Sequence, residues 1–72
     1  MATSVSREDI EATKLFQSLD KTKQQFVAKK NNINWIKSNY IIATNIGQEQ
    51  WLKQCGNATQ INKDIIHELL NN

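Results

Sequence analysis

The apolar positions of this chain recur at helical spacing and are densest between Ile33 and Leu52. Upstream, Ile10, Ala12, Leu15, Phe16 and Leu19 follow Ser6, with Glu8 and Asp9 in what would be the first turn. A serine cap backed by acids satisfies free amides and favours the positive end of the helix dipole. The spacing therefore predicts a helix starting behind Ser6. Periodicity runs on through Lys23 to Phe26 and Val27, with Ala12, Leu19 and Phe26 seven residues apart. The preferred reading is two helical pieces broken near Asp20, which would cap the second at Lys21. The rival is one helix over 6–30, a candidate dimerisation element with too few heptads for a coiled coil.

Lys29-Lys30-Asn31-Asn32 is polar and reads as a linker. In the dense stretch, Ile33, Ile36 and Tyr40 share one helical face, and Trp35 and Ile42 a neighbouring one. Isoleucine and aromatics also suit strands, so a short hairpin within 33–43 is the alternative. Helix is preferred because the flanks are helical and a lone hairpin is marginal. Thr44-Asn45 reads as a break, with Asn45 capping the next helix and Gln48 in the reciprocal position. Trp51, Leu52 and Cys55 form its predicted buried stripe, and Gly56 ends it. Thr59 or Asn62 caps a last helix whose apolar face is Ile61, Ile65, Ile66, Leu69 and Leu70. The predicted fold is all-α, a single domain over 1–72: a small bundle of about four short helices behind a loose N-terminus at 1–5.

Seventy-two residues bury little core; a chain this size covers only roughly 60% of its unfolded surface. Cys55 has no second cysteine to pair with, and His67 has no second histidine or cysteine cluster for zinc. Good helix packing, self-association or a partner must supply the stability. A lone cysteine and the lack of a secretory signal favour a reducing, cytoplasmic setting. No apolar run approaches the roughly 20 residues of a membrane span. The abundance of Asn, Ile and Lys without proline fits AT-rich coding, as in many phages and mobile elements.

Charge is uneven. Residues 1–20 sum to −2, residues 21–48 to +5 with no acid, and residues 49–72 to −1. The cationic middle overlaps the aromatics, so Lys23, Lys29, Lys30, Trp35, Lys37 and Tyr40 are the candidate partner-binding residues. Cations beside aromatic faces suit flexible single-stranded nucleic acid, although the sole arginine, Arg7, is remote in sequence. The stretch 48–66 resembles a helix-turn-helix in part. Trp51, Cys55 and Ile65 fall on usually apolar positions of that motif, Asn57 and Asn62 depart from it, and Leu52 stands where a small residue is usual.

Catalytic equipment is missing. No phosphate loop or nucleophile–base pair is present, and adjacent helical residues such as His67 and Glu68 diverge by about 100°. The expected function is a non-enzymatic protein-binding module, whether regulator, inhibitor or complex subunit, that needs no cofactor or metal. Its partner is another protein or a second copy. The alternative is a nucleic-acid-binding regulator using the 21–37 region or the 48–66 segment.

Overall fold

A computed structural model describes residues 4–71, and these contain six helices and no strand. They are α1 (Arg7–Glu11), α2 (Lys14–Ser18), α3 (Lys21–Val27), α4 (Lys30–Ile46), α5 (Gln48–Gln54) and α6 (Gln60–Leu70). The all-α class holds. The segment 33–43 is helix, not hairpin, and lies wholly inside α4.

The N-terminal third divides more finely than its spacing implied. It is three short helices, each started by a side chain that takes an orphan amide. Ser6 caps α1 as expected, and Asp9 completes a reciprocal box with it. Thr13 accepts from the Phe16 amide to start α2, and Asp20 accepts from the Lys23 amide to start α3. The expected break at Asp20 is present, and Thr13 adds another because its hydroxyl is committed to the backbone. This rules out one helix over 6–30. Of the expected loose N-terminus, residues 1–3 lie outside the described residues, while Val5 is buried.

Two boundaries move. The linker expected at 29–32 shrinks to Ala28-Lys29, and Asn31 and Asn32 fall in the first turn of α4. Asn32 Nδ2 donates to the Phe26 carbonyl at 2.8 Å, tying that turn to the end of α3. The break expected at Thr44-Asn45 falls instead at Gly47. Thr44 Oγ1 donates to the Ile41 carbonyl and stays helical. Gly47, at φ 91° and ψ 154°, takes a conformation nearly closed to other residues. It therefore serves as the α5 N-cap in place of Asn45.

The helix α4 is the spine, and α5 and α6 both pack on it. Ile33, Ile36 and Ala43 form its inner face against Ile65 and Ile66 of α6, with Ile10, Phe16, Val27 and Trp51 closing the core. Tertiary bonds fix the register. Glu68 of α6 accepts the Lys14 and Leu15 amides at 2.6 and 3.0 Å, so a carboxylate far along the chain completes the start of α2. Leu52 departs from its predicted place: it is 44% exposed, not part of a buried stripe, and Cys55 is only half-buried.

Candidate functional site

The structure divides the six candidate binding residues. Lys23, Lys29 and Lys30 are exposed, while Lys37, Trp35 and Tyr40 are half-buried. Trp35 and Tyr40 stand five residues apart, about 140° around the helix, and line different grooves. Tyr40 borders a groove of about 290 Å³ with Val5, Asp9, Thr13 and Leu69. Trp35 walls one of about 340 Å³ between the starts of α4 and α6. The six residues do not make one site.

One member missing from the candidate set is brought in by folding. Arg7 Nη2 donates to the Ala28 carbonyl at 3.1 Å, which sets the only arginine beside Lys29 and Lys30. Lys29 Nζ lies 5.9 Å from the exposed ring of Phe26. Sequence distance hid this cluster, since 21 residues separate Arg7 from its acceptor.

Trp35 also serves the fold. Its ring is tilted against that of Trp51, centroids 6.3 Å apart, and His67 meets Trp51 edge-on at 5.7 Å. Trp51 is fully buried and satisfies its indole N–H on Asn39 Oδ1 at 3.0 Å. Asn39 in turn donates to the Trp35 carbonyl, so one amide ties α4 to α5. His67 is half-buried and in contact with Gln48 through Nδ1. The adjacent Glu68 faces the start of α2. The two side chains therefore serve separate structural contacts.

The segment resembling a helix-turn-helix folds as α5, a five-residue connection over 55–59, and α6. Thr59 occupies the cap position of α6, and Asn62 lies inside the helix. Within α6 only Gln60 is exposed. The geometry lends no support to α6 as a helix laid into a nucleic-acid groove, because its flanks are covered by the rest of the molecule.

The exposed apolar residues are concentrated elsewhere. Of the five large ones among the described residues, Ile41, Ile42, Ile46 and Leu52 all lie within 41–52, and only Phe26 lies apart. Ile42 and Ile46 stand one turn apart on α4, in line with Trp35 and Asn39, so they prolong the face that receives α5. Glu49 and Lys53 are exposed beside Leu52 and also lie one turn apart.

Among the described residues, no helix is long and apolar enough to cross a membrane, and no three metal-ligating side chains gather. No protein-family model, curated protein or solved structure matches the chain, so a functional reading rests on the surfaces just described.

Proposed function

We propose that this protein is a non-enzymatic protein-binding module whose contact surface is the corner between α4 and α5, and whose first partner is a second copy of itself. The observation that carries this is the confinement of four large exposed aliphatic side chains to twelve residues around Gly47. Scattered apolar residues on a surface are ordinary, but a local concentration marks an interaction face. Burying Ile42, Ile46 and Leu52 would contribute about 25 cal/mol per Å² of apolar area removed from water.

Charge favours a like partner. A two-fold contact must be self-complementary. When α5 meets its symmetry mate antiparallel, Glu49 of each copy approaches Lys53 of the other, flanking Leu52 on both sides. A chain this small also benefits from association, since its own core is limited.

Sedimentation equilibrium over a range of concentrations tests the reading. The wild-type chain is expected to associate reversibly, and an Ile42→Glu, Ile46→Lys double variant to remain a folded monomer. Because both side chains are already substantially exposed, the variant's circular dichroism should match the wild type. A wild-type chain that stays monomeric at the highest concentrations would remove self-association.

A further inference from the structure

The groove between α4 and α6 combines features that the self-association face does not use. Its walls are Asn31, Asn32 and Trp35 of α4 on one side, and Asn57, Ala58 and Thr59 on the other, with Asn62 beneath. No carboxylate lines it. Two helix starts open into it and no charged group neutralises either, although at α4 the Asn32 amide already donates to Asn31 Oδ1 at 3.1 Å. Lys29 and Thr59 occupy the cap positions of α4 and α6 without a side-chain cap bond, and neither first turn holds an acid. By contrast, α1, α2 and α3 are all side-chain capped. The first helical amide bond of α4 is that of Ile33 to Lys29, and of α6 that of Lys63 to Thr59. The amides ahead of these have no helical carbonyl to meet, and both dipoles place positive potential at the groove. Exposed Lys29 and Lys30 add to it.

The floor carries an independent signal. Asn62 is only 3% exposed. Its Nδ2 donates to Asn32 Oδ1 at 3.0 Å, but its own Oδ1 is buried and accepts from nothing. An unpaired buried carbonyl costs about 1–3 kcal/mol, and such an atom calls for a donor. Trp35, half-buried and tilted against Trp51, offers an apolar aromatic wall in the same groove.

These demands specify a ligand with a flat ring for Trp35, an N–H donor for Asn62 and an anionic group for the paired helix starts. We infer that the groove binds a nucleotide: an unpaired base against Trp35, its amino or imino hydrogen donated to Asn62, and its phosphate at the starts of α4 and α6. The volume of about 340 Å³ lies within the usual range of small-ligand sites. The same chemistry arises from a free nucleotide or from one unit of a single strand. Lys29 and Lys30 beside the α4 start would serve the flanking phosphates of a strand, whereas Arg7 is already held by the Glu11 carboxylate at 3.2 Å.

Titration of the full chain at low salt with adenosine monophosphate, and separately with single-stranded oligodeoxyadenylate, tests this. Saturable quenching of tryptophan fluorescence that weakens as salt rises is the expected result. Similar affinity for both probes identifies the free nucleotide as the source, and affinity that grows with strand length identifies the strand. Asn31→Asp is the informative variant. An acid in the first turn of α4 suits the helix, so the thermal midpoint should hold or rise, while repulsion of the phosphate should weaken binding by on the order of tenfold. Asn57→Asp, in the connection outside any helix, should act in the same direction. Absence of saturable quenching by both probes overturns the assignment. So does unchanged affinity in both variants, or equal quenching by adenosine, which lacks the phosphate, or by a neutral disaccharide.

Discussion

Trp51 shows how much one side chain can carry in a chain this short. It is fully buried, satisfies its indole on Asn39, and holds Trp35 and His67 at its ring. Truncation of a buried tryptophan costs about 3–5 kcal/mol. At roughly 0.05–0.15 kcal/mol per residue, the whole chain holds only about 4–11 kcal/mol. Trp51→Ala is therefore expected to lose a large share of the stability and to melt at a markedly lower temperature, with the thermal transition of helical ellipticity at 222 nm as the check. A gentler effect attends Asp9. The Ser6 backbone N–H donates to its carboxylate at 3.0 Å, and the Ser6 hydroxyl adds to this, so its pKa lies below the ordinary value of 3.8. A carboxyl depressed in the folded state stabilises the fold above the ordinary carboxylate range, and that share is lost as pH falls through the lowered value. Asp9→Asn should lower the thermal midpoint slightly at neutral pH, and the gap to wild type should close in strong acid.

At the scale of elements, most of the helices are too short to stand alone. Isolated helices below about 12–15 residues are marginal in water, and only α4, with 17 residues, exceeds that. Their starts were legible wherever the signal is local: Ser6 with Asp9, and Asp20 ahead of Lys21. Their ends were legible at Gly56, whose φ of 68° is the left-handed stop expected of it. Gly47 was passed over in favour of Asn45, because asparagine is the better local cap and only the fold requires α5 to turn back on α4. The two glycines make a ranked prediction. A Cβ meets no atom within 4 Å at either position, so each substitution tests backbone conformation alone. Gly56→Ala should cost about 1–2 kcal/mol, the penalty of a left-handed residue. Gly47→Ala should cost more, up to about 3 kcal/mol, because its φ and ψ fall where side chains are hardly tolerated. Urea midpoints of the two variants give the order.

For the whole molecule, the question is what a small core leaves uncovered. Ile42, Ile46 and Leu52 lie about the α4–α5 junction, with Ile41 about 100° around α4 from Ile42, and the groove walled by Trp35 sits between two helix starts. If the corner joins two copies, the wild-type thermal midpoint should rise with protein concentration by mass action, and the Ile42→Glu, Ile46→Lys variant should show no such rise. The same scale explains which candidate residues were found and which were not. Charge and aromatic content single out Lys29, Lys30 and Trp35 from order along the chain. They also single out Tyr40, which turns to the opposite groove, because a run of residues does not reveal the rotation between positions once two partners cover different faces.

Local information alone determined that the chain is helical, where α1 and α3 begin, that Ile33 and Ile36 face inward, and that Gly56 ends a helix. Each of these follows from interactions spanning one or two turns. Tertiary structure alone decided that Glu68 caps α2, that Arg7 joins the lysines at the α3–α4 corner, that Leu52 faces out while its neighbour Trp51 fills the core, and that the Asn62 side-chain carbonyl is left without a donor in the groove that Trp35 also lines. Those outcomes depend on which helices meet, and that choice is made by burying apolar faces from distant parts of the chain together.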